Sequence, residues 1–121
     1  MARILIVDDA PTTRQLLKVI VEGAGHEVVG SADNGLDAVR LAGELAPDVM
    51  LLDMLLPQLD GVEVVGRLGA QRPRVIMLSS VTSTEKISAA RDAGLNYYVL
   101  KPFTPEKVLE TLTRALKGDR R

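Results

Sequence analysis

The sequence predicts an α/β fold: a doubly wound, five-stranded parallel sheet with five helices on its two faces. Three observations carry this expectation. First, four apolar runs, Ile4–Val7, Val49–Leu52, Val75–Leu78 and Tyr97–Leu100, have the length and continuity of strands buried on both faces. Second, these runs alternate strictly with stretches of helical apolar spacing, which implies right-handed crossovers. Third, each run ends in residues foreign to a core: Asp8-Asp9, Asp53, Ser79-Ser80 and Lys101-Pro102. In an open parallel sheet the strand carboxyl ends share one edge, and ligands bind there.

The elements follow in order. Met1 to Asp9 is the first strand. Ala10-Pro11-Thr12-Thr13 opens a helix, with Pro in its first turn and Thr as a cap. Leu16, Leu17, Ile20 and Val21 form its stripe, and Gly23 and Gly25 stop it. Glu27–Gly30 is a short second strand. Asn34 caps a helix carrying Ala38, Val39, Leu41, Ala42 and Leu45, and Pro47 ends it. Val49–Asp53 is the third strand. Asp60 caps a helix with Val64, Val65 and Leu68, and Pro73 marks the loop before the Val75–Leu78 strand.

Thr82-Ser83-Thr84-Glu85 reads as a capping box. The helix it starts has Ile87 as its one large hydrophobe, supported by Ala89, Ala90 and Ala93, so loose attachment is expected. Gly94 ends it. Tyr97–Lys101 is the fifth strand. Thr104-Pro105-Glu106 opens the last helix, whose stripe is Val108, Leu109, Leu112 and Leu116. Gly118 closes it.

Bulk properties bound the function. At 121 residues the chain is one domain, spanning 1–121, with a full core. A net charge of −1 leaves no electrostatic footprint for nucleic acid or an anionic membrane. With no cysteine there is neither a disulfide framework nor a thiolate metal site. No apolar window reaches the length of a signal-peptide core or a membrane span. A cytoplasmic domain is expected.

Singly, the rim residues have plain readings. Asp8-Asp9 reads as a helix cap, Asp53 as a loop-start acid, Ser79-Ser80 as turn residues and Lys101 as a solvated strand end. His26, after Gly25, reads as a surface residue, and the Tyr97-Tyr98 pair as core. Jointly they read differently. Two carboxylates about 4 Å apart repel by roughly 4 kcal/mol at an effective dielectric near 20. Three such groups at one rim are tolerable around a divalent cation, and an all-oxygen donor set suits Mg²⁺. Lys101 adds a fixed positive charge and Ser79 a hydroxyl. Such a set clamps a transferring phosphoryl group, and a carboxylate is a competent nucleophile that yields an acyl phosphate.

In this order and at these strand ends, Ile-Val-Asp8-Asp9, Leu-Leu-Asp53-Met-Leu-Leu-Pro57-Gln-Leu-Asp-Gly61, Val-Ile-Met-Leu-Ser79-Ser80 and Tyr98-Val-Leu-Lys101-Pro102-Phe103 form a specific signature. Over nearly its whole length the chain resembles the CheY-like response-regulator receiver domains of two-component signalling. The resemblance implies a flavodoxin-like strand order 2-1-3-4-5. It implies Asp53 as phosphoacceptor, with Asp8, Asp9, Asp53 and the backbone carbonyl of Leu55 holding Mg²⁺. Ser79 and Lys101 would contact phosphoryl oxygens, Tyr98 would change rotamer together with Ser79, and Lys101-Pro102 would be cis.

The implied donor is a sensor histidine kinase or phosphotransfer protein. The implied output partner binds the face made by the fourth helix, fifth strand and last helix. The domain is expected to be a phosphoacceptor rather than an enzyme, and a monomer or a phosphorylation-dependent homodimer. Because the chain ends just after the last helix, a stand-alone receiver is favoured over one excised from a longer regulator. Apolar Leu55 and Val81, flanking the phosphoryl position, suggest a long-lived acyl phosphate.

Three other readings compete. An Mg²⁺-dependent aspartyl-phosphate phosphatase usually carries an acid two residues after its nucleophile, where this chain has Leu55. A flavodoxin-like cofactor binder needs a phosphate-cradling loop after the first strand, where Asp8-Asp9 puts negative charge. A receiver-like scaffold would need no phosphate.

Overall fold

The structure is a computed structural model describing residues 1–69, 72–80, 84–92 and 94–118, with the backbone alone over 84–87. Five parallel strands, β1 (Arg3–Val7), β2 (Glu27–Ala32), β3 (Val49–Asp53), β4 (Arg74–Ser79) and β5 (Tyr97–Leu100), form one sheet in the order β2-β1-β3-β4-β5. Between and after them run α1 (Pro11–Gly23), α2 (Gly35–Leu45), α3 (Gly61–Leu68), α4 (Thr84–Asp92) and α5 (Pro105–Leu116). The expected class, strand order and alternation are those observed.

Side-chain alternation along the strands divides the core in two. Ile4, Ile6, Val49, Leu51, Ile76, Leu78 and Val99 face α1 and α5, meeting Leu17, Ile20, Val21, Val108 and Leu112. Leu5, Val7, Met50, Leu52, Val75 and Met77 face the other way, toward Ala38, Ala42, Val64 and Val65 of α2 and α3. Every residue of β3 is buried, which explains its unbroken apolar run up to Asp53.

Local chemistry sets the helix ends. The Asn34 side chain accepts the Asp37 N–H. Asp60 and Glu63 form a reciprocal capping box, and Thr104 Oγ1 accepts the Lys107 N–H ahead of Pro105 at the start of α5. At α1 no side chain caps the helix; Thr12 and Thr13 lie inside it, and Asp8 Oδ1 instead accepts the Ala10 N–H, bracing the loop that enters the helix. On α2, Ala46 takes a left-handed conformation (φ 45°) before Pro47.

Four boundaries differ from the sequence expectation. β2 runs two residues beyond Gly30, to Ala32, because it pairs with β1 as far as Val7. β4 gains Arg74 and Ser79 through pairing to β3 and β5. β1 is shorter at both ends, and β5 stops at Leu100. On α5, Thr111 and Ala115 are buried alongside Val108 and Leu112, while Leu109 and Leu116 sit at the core margin. Ala90 is the one buried side chain among the described residues of α4, in line with its weak apolar stripe. The capping-box residues Thr82 and Ser83 lie outside the described residues.

Two glycines fix how the loop after β3 packs. A Cβ on Gly35 would fall 2.5 Å from the Leu59 carbonyl oxygen, and Gly35 N–H bonds to the Pro57 carbonyl. A Cβ on Gly61 would fall 2.9 Å from the Met54 Cα and 3.1 Å from the Asp53 carbonyl oxygen. The starts of α2 and α3 therefore press onto this loop at distances that exclude a side chain.

Candidate functional site

Strand register builds the site. Val7 pairs with Leu52, so Asp8, one residue past β1, lies beside Asp53 at the end of β3. Asp53 pairs with Leu78, which puts Ser79 one step further along β4. Ser79 pairs with Leu100, and the Lys101 N–H bonds to the Ser79 carbonyl at 2.8 Å. All the predicted rim residues thus sit at the carboxyl edge of the three central strands and β5. Asp8, Asp53 and Ser79 are buried, whereas Asp9 is exposed.

Asp8, Asp9 and Asp53 each offer a carboxylate oxygen within 4.8 Å of the others. Lys101 Nζ reaches into this cluster, 2.7 Å from Asp8 Oδ2 and 3.4 Å from Asp53 Oδ2. Leu55 N–H donates to Asp53 Oδ1 at 3.1 Å, which brings the Leu55 backbone to the site although its side chain is exposed. Burial pushes the Asp53 carboxyl above the usual carboxylate range, aided by Asp8 and opposed by the Leu55 N–H and the Lys101 ammonium. For Lys101, burial favours loss of the proton, but the bonds to Asp8 and Asp53 outweigh it and hold the ammonium above its ordinary value. The lysine therefore stays charged, and the buried Asp53 carboxyl sits beside it with its negative form disfavoured by desolvation.

The donor set fits a hard divalent cation: three carboxylates, one of them exposed, leave room for water and a phosphoryl oxygen. Asp8 also does what its plain reading suggested, bonding the Ala10 N–H with Oδ1 while Oδ2 faces Lys101.

Other expectations resolve differently. The Tyr97-Tyr98 pair, read as core, is split. Tyr97 packs against the α1/α5 side of the core with the Arg114 guanidinium 5.9 Å over its ring, whereas Tyr98 is 52 % exposed on the opposite side of β5. His26, read as a surface residue, is half-buried, and its Nδ1 accepts the Ala2 N–H at 2.9 Å. Lys101-Pro102 is cis, as expected. Val81 lies outside the described residues. The sequence reading missed Arg14, whose Nη1 donates to the Asp8 carbonyl at 2.7 Å and secures the loop after β1. No pattern announces it, because its partner is a main-chain atom rather than a complementary side chain.

Comparison with known proteins places this geometry in context. A family model described as "Response regulator receiver domain" matches residues 4–113. The chemotaxis protein CheY of Listeria monocytogenes is 39% identical over 119 residues, covering 97% of this chain and all of the relative. The signal receiver domain of a modulated diguanylate cyclase from Desulfovibrio desulfuricans superposes with a TM-score of 0.90 at 31% identity, over 98% of this chain and 95% of that one. The CheX-CheY-BeF3-Mg complex of Borrelia burgdorferi matches with a TM-score of 0.88 at 25% identity, over 94% and 88% of the two chains.

Proposed function

The chain belongs to the response-regulator receiver family of two-component signalling, and from that premise we propose that Asp53 is its phosphoacceptor. The observation that carries the reading is the position of Lys101 Nζ between Asp8 and Asp53, at the end of the central strand. The donor is the phosphohistidine of a sensor histidine kinase or phosphotransfer protein. An Asp53 carboxylate oxygen attacks phosphorus, the P–N bond breaks, and the imidazole leaves with the bonding pair and takes up a proton. The product is an acyl phosphate on Asp53.

This chain's residues position and neutralise. Lys101 exchanges part of its contact with Asp8 for a phosphoryl oxygen, and the Ser79 hydroxyl donates to another. Asp8, Asp9, Asp53 and the Leu55 carbonyl would hold Mg²⁺. When bound, the ion offsets the charge that gathers on the transferring group. Arg14 and the Ala10 N–H hold the Asp8 main chain and side chain in place.

The output face is α4–β5–α5. Inward movement of Ser79 opens space for Tyr98, which now points outward and is half exposed. α4, with Ala90 as the one buried side chain among its described residues, is the element that yields. The chain acts as one receiver domain over 1–121 and turns over no separate substrate. It works in the cytoplasm, as a monomer or as a dimer formed on phosphorylation. Among the described residues no helix is long and apolar enough to cross a membrane.

The test is intact mass after incubation with Mg²⁺ and acetyl phosphate. Wild type gains one phosphoryl group; Asp53→Asn and chelator-treated wild type gain none. An equal gain in Asp53→Asn overturns the assignment.

A further inference from the structure

The charge of this molecule is segregated along its strands. The carboxyl edge holds the three aspartates. At the opposite edge, where the strands begin, stand Arg3, Arg67, Arg72 and Arg74, in a chain whose net charge is only −1. A groove of about 790 Å³ opens there between α2, the end of α3 and the start of β4. Arg67, Arg72 and Arg74 line it together with apolar Val39, Leu68 and Pro73.

Structural duties account for part of this cluster. Arg3 Nη1 donates to the Ala46 carbonyl at the end of α2, and Arg72 Nη2 lies 3.4 Å from the Gly94 carbonyl. Arg67 sits in the last turn of α3, where a cation offsets the helix dipole. One carboxylate, Asp48, is among the described lining residues, and its Oδ2 is taken by the Arg3 N–H. Arg74 is a main-chain neighbour of Asp48 through an N–H to carbonyl bond, yet neither Arg74 nor Arg67 makes an ion pair among the described residues. Two exposed arginines, Arg67 and Arg74, therefore line a groove that Arg72 lines as well.

We propose that this groove, at the opposite pole from Asp53, is a binding site for a diphosphate group, free or carried by a nucleotide. Guanidinium forks match phosphate oxygens two at a time. The carbonyl ends of α2 and α3 oppose any anion here, so occupancy depends on a ligand that engages several guanidiniums at once, as a diphosphate does and a single small anion does not. The volume falls within the range of small-molecule sites and exceeds what one phosphate fills. The apolar wall of Val39, Leu68 and Pro73 accommodates a nucleoside body. The site owes nothing to the phosphoacceptor chemistry, and its success or failure leaves that reading untouched.

The experiment is an NMR titration of the Asp53→Asn protein in chelator, so that the acidic edge takes no part, with pyrophosphate and ADP as probes and a short polyglutamate peptide as a third arm. The expected result is saturable shifts at Gly43, Leu68 and Arg74 with none at Asp9 or Met54. Affinity falls about tenfold in each of Arg67→Gln and Arg74→Gln, in proportion to a lost charge-assisted bond; Arg74→Gln keeps the wild-type melting temperature, and Arg67→Gln melts slightly lower because the α3 dipole loses its cation. Tighter binding of ADP identifies a nucleotide, and equal binding of pyrophosphate identifies the free diphosphate. Absence of saturation with both phosphates, shifts that persist when Arg67→Gln and Arg74→Gln are combined in one protein, or tighter binding of the glutamate peptide overturns the proposal.

Discussion

Lys101 Nζ lies 2.7 Å from Asp8 Oδ2, joining two residues 93 positions apart and fastening the end of β5 to the end of β1 across the intervening strands. Asp8 is fully buried, so this ammonium is what makes its charge tolerable in the interior. Removing the lysine leaves two adjacent carboxylates with their repulsion uncompensated.

Lys101→Met should therefore destabilise the metal-free protein by about 2–3 kcal/mol, somewhat below the cost of breaking a fully buried pair because the lysine side chain is 23% exposed. Asp8→Asn in the same background should restore most of that loss. Urea unfolding in chelator measures both. Additive losses in the double variant would show that the two groups do not act as a pair.

Mg²⁺ should stabilise wild type in proportion to its binding, by about 1.4 kcal/mol for each tenfold of concentration above the dissociation constant. Asp53→Asn should lose most of this response, since one of three charged ligands becomes neutral. Without the ion, Asp53→Asn should be at least as stable as wild type, because burial makes the ionised carboxylate costly in the fold. Thermal unfolding with and without Mg²⁺ reads both effects.

Gly61→Ala and Gly66→Ala form a matched pair on α3. A Cβ at Gly61 meets the main chain of Asp53 and Met54, while one at Gly66 meets nothing within 4 Å. The first should cost roughly 2 kcal/mol and slow phosphorylation by displacing Asp53. The second should gain about 0.5–1 kcal/mol from helix propensity alone. Denaturation midpoints and the rate of mass gain separate them.

His26 gives a pH signature far from the phosphoacceptor. Burial, followed by the nearby N-terminal ammonium, lowers its pKa below the ordinary 6.5. Its Nδ1 must also be unprotonated to accept the Ala2 N–H. The unfolded chain thus binds the proton more readily, so the contribution of His26 is complete above about pH 6.5 and is lost as pH falls through the lowered folded value. The stability of His26→Ala should vary less with pH between about 5 and 7 than that of wild type. Parallel profiles in guanidinium titrations would remove His26 from the account.

The sheet was legible because β1, β3 and β4 are buried on both faces, leaving apolar runs that end abruptly in polar residues. β2 was harder, since at the sheet edge only Ala32 is fully buried and its C-terminal half reads as loop. The site's side chains were legible because Asp8, Asp53, Ser79 and Lys101 stand where a strand leaves the core. Arg14 and His26 were not, because each meets a main-chain atom that sequence does not display. The arginine groove was not legible for another reason: Arg67, Arg72 and Arg74 fall in one short stretch that reads as a helix end and the solvated loop after it, and only the fold sets that stretch against α2.

The aromatic residues Tyr97, Tyr98 and Phe103 all fall within one short stretch, and the chain has no tryptophan. Every near-ultraviolet signal from this protein therefore originates at β5 and the turn after it. Tyrosine emission or near-ultraviolet circular dichroism is thus a built-in local reporter. A change on phosphorylation would record movement of β5 itself, and unfolding followed this way would track that edge of the sheet, leaving β2 at the far edge optically silent.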